Sequence, residues 1–381
     1  MRDFLEEKPL LCIETMHGFD QGVAELADVG FKVIYASLPI LVEECLRHRT
    51  VVGIVKGPRT KIGRQELDLL AHKHPNLVIS YIGRHPSQVL APDIHVVATA
   101  REGTVLVVQT RYGNIPVLSL AHSPLSSAVC AYVVTLSQDL LANHDESTWQ
   151  LSINAGNTFS VRRGHAFTAD NLKGSLLAAR YNMAVIGAGD IGSQVIQSYV
   201  QAGAQVSYNT RQAHLALSER GCFVPSVSSL FRSQSRIDVL TIHVPPGTVI
   251  PLEQVQNVRI FINTSSGPCI DDDELIRALA ERRIQRALID VFRHEGADFY
   301  GRVDLRSSSL VQSRLNPFPH VLDSARDTER KRLLQHLIDE RRLFLTPHIA
   351  YLEESAVRQT LAAAIENIVR YQSIHVPLAA C

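Results

Sequence analysis

From Leu10 to about Tyr81 short apolar runs alternate with stretches whose apolar residues recur at helical spacing. Leu10 to Ile13, Phe31 to Ala36, Val51 to Val55 and Leu77 to Tyr81 are predicted strands, with helices between them. This alternation predicts a parallel sheet, because parallel neighbours need a crossover long enough to return the chain to the same sheet edge. Pro92 to Val117 interrupts the rhythm, with Val96 to Ala98 and Val105 to Val108 as further short strands. Ser126 to Leu141 has few breakers and many apolar residues, and is predicted to be a helix connecting two domains. A second alternating series begins at Ala184. Its predicted strands are Ala184 to Ile186, Gln205 to Tyr208, Val239 to His243, Ile260 to Asn263, Ala287 to Val291 and Leu343 to Thr346. Asp271 to Asp273 give the helix predicted over Glu274 to Ile284 an acidic start, which suits the positive end of its dipole. Gly296 to Arg342 breaks the second series. It is serine- and arginine-rich at first, then carries a charged helical segment from about Asp327 to Asp339; a lid, an oligomerisation arm and a tolerated insertion are its three readings.

Composition narrows the function classes. A chain of 381 residues, 45% hydrophobic, exceeds one ordinary core and predicts two domains. Its 38 basic and 38 acidic residues cancel, so no global positive field holds nucleic acid or an anionic membrane. No apolar run is long enough to span a bilayer, and Met1 to Lys8 is charged without a following secretory segment, so a cytoplasmic location is expected. The six cysteines form no CxxC pair and predict reduced thiols. The sixteen histidines show no HExxH spacing, so no metal site is expected.

The sharpest local signal is the glycine pattern of Gly187, Gly189 and Gly192, with Asp190 and Ile191 between the last two. Met183 to Ile186 precede it, and Val195, Ile196, Tyr199 and Val200 follow at helical spacing. Gly187 allows a tight turn, Gly189 lets backbone approach a pyrophosphate, and Gly192 permits close helix packing, while the helix N-terminus attracts the phosphates. A strand, a helix and a second strand stand where a dinucleotide-binding βαβ unit requires them. After that second strand an NAD site usually places a carboxylate on the adenosine ribose. Here the chain reads Asn209, Thr210, Arg211, with no acid to repel a 2′-phosphate and a guanidinium to bind one. NADP is the expected cofactor, with NAD possible.

Several segments in order resemble the D-2-hydroxyacid dehydrogenases: Leu172 to Gly174, the glycine loop, Ile242-His243-Val244-Pro245, Ile262 to Gly267, Ala287 to Phe292 with Glu295, and Thr346-Pro347-His348-Ile349. The first 120 residues match more loosely, chiefly through Val51 to Thr60 and Asn76 to Ser80. The resemblance implies an α/β chain of two Rossmann-like or flavodoxin-like domains with parallel sheets. The cofactor domain, 126–346 with an insertion at about 296–342, would interrupt a substrate domain of 1–125 plus 347–381. His348 is then the acid/base and Glu295 the carboxylate that raises its affinity for a proton. His243, Pro245, Thr264 and Asp290 join the cofactor-binding set. A homodimer is also implied.

The sequence departs from the family at Ser266, which stands where the family keeps the arginine that binds the substrate carboxylate and carbonyl. A neutral hydroxyl makes no bidentate charge-assisted contact, and losing such a donor typically costs about a hundredfold to a thousandfold in rate. Either another cation replaces it, the substrate lacks an α-carboxylate, or turnover has been given up. Lys56 with Gly57 and Arg59, and Arg84 with His85, are the candidate substitutes; Lys56, Gly57, Arg84 and Ser266 form the candidate substrate contacts. Two functions are therefore expected: an NADP-preferring oxidoreductase acting on a 2-oxo/2-hydroxy acid or related ketone, or a catalytically weakened NAD(P)-binding regulatory or assembly protein on the same fold, as among the transcriptional corepressors.

Overall fold

The computed structural model of the protein describes residues 10–16, 19–26, 32–48, 51–57, 61–82, 90–99, 105–120, 124–143, 151–153, 159–161, 181–211, 213, 217, 221–265, 267–291, 328–346 and 348–375. The chain forms two compact units, one of residues 1–124 with 355–381 and one of residues 125–354. The second unit thus runs past residue 346, where the sequence placed the boundary, and includes His348.

In the first unit, strands β1 (Leu10–Glu14), β2 (Lys32–Ala36), β3 (Val51–Lys56) and β4 (Val78–Tyr81) pair in parallel, joined by helices α1 (Asp20–Glu25), α2 (Leu38–Arg47) and α3 (Arg64–Lys73). The helices form where the apolar spacing says they should. Leu38, Leu41, Val42 and Cys45 give α2 one buried stripe, and Leu67, Leu70 and Ala71 do the same for α3. The region from Pro92 departs from the parallel pattern. β5 (Val96–Thr99), β6 (Val105–Thr110) and β7 (Gly113–Ser119) pair antiparallel with one another, and β7 then joins β4 in parallel, giving the order β2-β1-β3-β4-β7-β6-β5. The last helix, α9 (Glu354–His375), covers this sheet so closely that a Cβ on Gly53 would lie 2.6 Å from Ile368.

The second unit opens with α4 (Pro124–Leu141), whose Ser137 hydroxyl lies 2.7 Å from that of Tyr199 on α5 (Asp190–Gln201). Its sheet is parallel throughout, in the order β12-β11-β10-β13-β14-β15-β16. The strands are β10 (Asn182–Ile186), β11 (Gln205–Asn209), β12 (Cys222–Phe223), β13 (Ile237–Ile242), β14 (Val258–Asn263), β15 (Ile284–Ile289) and β16 (Leu343–Leu345). All six strands expected here are present, displaced by up to three residues at their ends; the short edge strand β12 adds a seventh, and β8 (Leu151–Ile153) and β9 (Phe159–Val161) form a separate hairpin. Ser226 caps α6 (Val227–Ser233) through the Ser229 N–H. The Asp271 carboxylate caps α7 (Asp272–Ala280), accepting from the N–H groups of Asp273 and Glu274 at 3.0 Å each, so the acidic start is both a cap and a dipole partner. α8 (Thr328–Asp339) buries Leu334 and Leu337 in the core beside Leu343; residues 292–327 lie outside the described residues. Among the described residues no helix is long and apolar enough to cross a membrane.

Candidate functional site

In an open parallel sheet, ligands bind beyond the carboxyl ends of the strands where the strand order reverses. In the second unit that point lies between β10 and β13, and Gly187 to Gly192 leave β10 there. Gly187 has φ +93°, and a Cβ on it would lie 2.2 Å from the His243 carbonyl oxygen. Two backbone bonds fix the turn: the Gly187 N–H donates to Asn209 O at 2.8 Å, and the His243 N–H donates to Ile186 O at 2.7 Å. A Cβ on Gly192 would sit 1.9 Å from Gly187 O, whereas one on Gly189 would meet nothing within 4 Å. The three glycines thus do different work. Two let backbones touch, and the third keeps the helix entrance clear. Gly189 is the N-cap of α5, which starts at Asp190 with half-buried Ile191 in its first turn, so the positive end of the helix dipole faces that clear space. This cradle fits a dinucleotide pyrophosphate.

At the end of β11, the Asn209 side chain donates to Val224 O at 2.8 Å, Thr210 is half-buried and Arg211 is exposed. The next strand end carries His243, whose ring nitrogens lie 3.0 Å from the Thr241 hydroxyl and 3.4 Å from that of Thr264. Burial pushes the His243 imidazole down to about 3. It is therefore neutral near pH 7 and holds the two threonines by one donated and one accepted hydrogen bond. Pro245 is exposed just beyond it. Ser265 ties this loop to β14: its hydroxyl donates to Ile242 O at 2.8 Å and accepts from the Val244 N–H at 2.9 Å.

The folded His243 binds a proton only near pH 3, against about 6.5 when unfolded. Its contribution to stability is complete above pH 6.5 and lost as pH falls toward 3, by at most about 1.4 kcal/mol per pH unit, the limit for one proton. Asp290 acts in the opposite sense, since burial raises its proton affinity in the fold. The His243 share is isolated by comparison with His243→Gln: urea unfolding at pH 7 and pH 5 should show a smaller acid loss in the variant, and parallel losses would sink the assignment.

Asp290 follows β15 and is fully buried. Its Oδ1 accepts from the Thr346 hydroxyl at 2.6 Å and the Ile349 N–H at 2.9 Å, and its Oδ2 accepts from the Ala350 N–H at 3.0 Å. Its carbonyl accepts from the His348 N–H, also at 3.0 Å. Burial raises the carboxyl's proton affinity, opposed by the field of His348 and by these donors. The result is a turn built around one side chain. His348 adopts φ +55° within it, a left-handed conformation that costs about 1–3 kcal/mol and persists where its surroundings over-determine it. Its half-buried ring stands edge-on to Tyr351 at 5.2 Å.

In the first unit, Lys56 and Glu14 end neighbouring strands and are both buried, with Lys56 Nζ donating to Glu14 Oε2 and to Gly57 O, each at 2.7 Å. The Gly57 N–H donates to the same carboxylate oxygen at 2.8 Å. Burial lowers the Lys56 proton affinity and Glu14 opposes that. Glu14 has no motif to mark it in sequence; only its position at a strand end, apposed to a lysine two crossovers away, could have pointed to it. Glu295, Ser266, Arg59, Arg84 and His85 lie outside the described residues, as does the Leu172 to Gly174 segment. Among the described residues no cluster of metal-ligating side chains occurs, and Cys12, Cys45, Cys130, Cys222 and Cys269 are free thiols.

Comparison with known proteins agrees with this geometry. Residues 153–350, just over half of the chain, match the NAD binding domain of the D-isomer specific 2-hydroxyacid dehydrogenases. The D-specific alpha-keto acid dehydrogenase of Enterococcus faecium is 27% identical over 216 residues, covering 55% of this chain and 58% of that protein. A D-lactate dehydrogenase of Lactobacillus delbrueckii subsp. bulgaricus is 27% identical over 190 residues, covering 48% of this chain and 50% of that one. The chain thus spans about half the length of the curated relatives it matches. The solved structure of D-2-hydroxyisocaproate dehydrogenase shares the fold, with a TM-score of 0.63 and 19% identity over 96% of this chain and 97% of that one. With the glycine cradle, the Asp290-centred turn and the matched domain in one unit, the chain belongs to the D-isomer specific 2-hydroxyacid dehydrogenase family.

Proposed function

We propose that the protein is an NADP-preferring oxidoreductase that interconverts a 2-oxo acid or related ketone and its 2-hydroxy form. The observation that carries this reading is the Asp290 carboxylate, which pins the His348 turn at the carboxyl edge of the same sheet that presents the glycine cradle. Gly187, Gly189 and Gly192, with the Asp190-Ile191 helix start, hold the pyrophosphate. Asn209, Thr210 and Arg211 meet the adenosine ribose, and His243, Pro245, Thr264 and Asp290 line the remaining strand ends. A bound nicotinamide supplies the hydride. His348 gives its proton to the carbonyl oxygen as that oxygen becomes an alkoxide, with Glu295 as its carboxylate partner.

Substrate recognition is assigned to Lys56, Gly57, Arg84 and Ser266. The charge of Lys56 is already met by Glu14, so Arg84 carries the larger share of the work left by the missing arginine. We extend the proposal to a homodimer, as the family resemblance implies, working in the cytoplasm, as expected from the sequence. The direct test is oxidation of NADPH and NADH against a panel of 2-oxo acids and ketones. Turnover supports the proposal; tight cofactor binding with no turnover on the whole panel would favour the regulatory alternative.

Cofactor preference has its own test. NADPH should bind at least severalfold tighter than NADH, since one charge-assisted hydrogen bond from Arg211 to the 2′-phosphate contributes about 1.5–3 kcal/mol. Arg211→Ala should weaken NADPH alone, and Thr210→Asp should reverse the order by repelling the phosphate. Equal affinities in the unmodified protein, read by nicotinamide fluorescence, would reject the NADP assignment and leave the pyrophosphate cradle standing.

A further inference from the structure

We propose that Tyr132, on α4, is a positioning residue for His348 that acts through Thr346 and Asp290. The inference rests on the acid/base reading of His348. Tyr132, Thr346 and Asp290 are buried, with exposures of 0%, 1% and 0%. The Tyr132 hydroxyl lies 2.6 Å from Thr346 Oγ1, which lies 2.6 Å from Asp290 Oδ1. Thr346 donates its single proton to Asp290 Oδ1, so the threonine oxygen is left to accept the proton of Tyr132. The direction of the chain is therefore fixed: Tyr132 donates to Thr346, and Thr346 donates to Asp290.

The same Asp290 oxygen that receives Thr346 receives the Ile349 N–H, and its partner oxygen receives the Ala350 N–H. Thr346 and these two N–H groups bracket His348 in sequence. The tyrosine thereby orients the hydroxyl that orients the carboxylate that closes the left-handed turn at His348. Burial, and then the field of Asp290, hold the Tyr132 phenol well above its ordinary value, so it keeps the proton this chain requires. Burial of polar groups costs free energy unless each is paired, and the two hydroxyls and the Asp290 carboxyl group all are. Packing alone does not require the hydroxyl: the Tyr132 ring already meets Phe159 edge-on at 5.7 Å, a contact that phenylalanine would retain.

The test combines Tyr132→Phe, Thr346→Val and Thr346→Ser in the full-length protein. With histidine labelled at Cε1, the His348 resonance is identified by its loss in His348→Asn. Tyr132→Phe and Thr346→Val should both move or broaden that resonance, while Thr346→Ser, which keeps the hydroxyl, restores the wild-type position. Thermal midpoints of Tyr132→Phe and wild type should agree closely. On any 2-oxo acid that is turned over, kcat should fall roughly tenfold in Tyr132→Phe with KM changed less than twofold, the pattern of a misplaced catalytic group. An unmoved His348 resonance in Tyr132→Phe overturns the proposal, and so does an effect of Thr346→Val that Tyr132→Phe does not share. If the wild type turns over no carbonyl substrate, the dehydrogenase reading fails, yet the resonance still decides whether Tyr132 positions the His348 turn.

Discussion

Gly192→Ala is expected to weaken binding of NADPH and NADH alike by about a hundredfold or more, the loss of two phosphate hydrogen bonds at about 1.5 kcal/mol or more each. The added Cβ would stand 1.9 Å from the oxygen and 2.9 Å from the carbonyl carbon of Gly187. Both are backbone atoms, so no side-chain rotation relieves the clash and the loop must leave the helix start. Thermal stability should fall as well. Gly189→Ala separates the two effects, because its Cβ meets nothing within 4 Å and intrudes only on the space offered to the ligand. It should keep the wild-type melting temperature and still bind the dinucleotide poorly. Unchanged dissociation constants for both variants, measured by nicotinamide fluorescence, would remove the glycine loop from the cofactor site.

His348→Asn carries the second large effect. Removing a positioned general acid lowers turnover by roughly 10²- to 10⁴-fold. Asparagine is the chosen replacement because it tolerates the left-handed backbone that His348 adopts at φ +55°, so the turn around Asp290 should survive. The expected result is a collapse of kcat with cofactor affinity within about twofold of wild type. Turnover that persists at the wild-type rate would take the proton-transfer role away from His348, and a parallel loss of cofactor binding would mean that the turn itself had been damaged.

Features that depend on neighbouring residues were legible from the chain. The glycine spacing encodes two close backbone approaches and one clear entrance, and the structure places Gly187, Gly192 and Gly189 in those three situations. The cap at Asp271 was legible as an acidic helix start because its partners are two and three residues away. The β6–β7 hairpin was not. Pro116 sits inside β7 and reads as a breaker, but β4 pairs with β7 only from Val117 onward, so no parallel partner asks for the missing N–H. α9 has apolar residues Val357, Leu361, Ala364 and Ile368 at helical spacing, but its destination, the sheet that contains Gly53, is set by shape across more than three hundred residues. Separation along the chain also hid how the site is supported. Asp290 was named for the cofactor set, but its link to Tyr132 through Thr346 joins three separate segments, and Glu14 meets Lys56 only once a parallel sheet has brought two strand ends together.

The return of α9 to the first sheet also fixes an order of events during synthesis. The second unit is one continuous stretch, 125–354, and can fold as soon as it has left the ribosome. The first unit must wait with one sheet face uncovered, because Ile368 reaches Gly53, Asn367 donates to Ser119 O and Gln372 donates to Val52 O only after the intervening stretch has been made. At about 5–20 residues per second that delay is on the order of 10 to 50 s. During it, the apolar face over Gly53 is open to chaperones and to aggregation, and a ribosome that stalls before residue 355 releases a chain with a foldable dinucleotide unit and an unfinished partner.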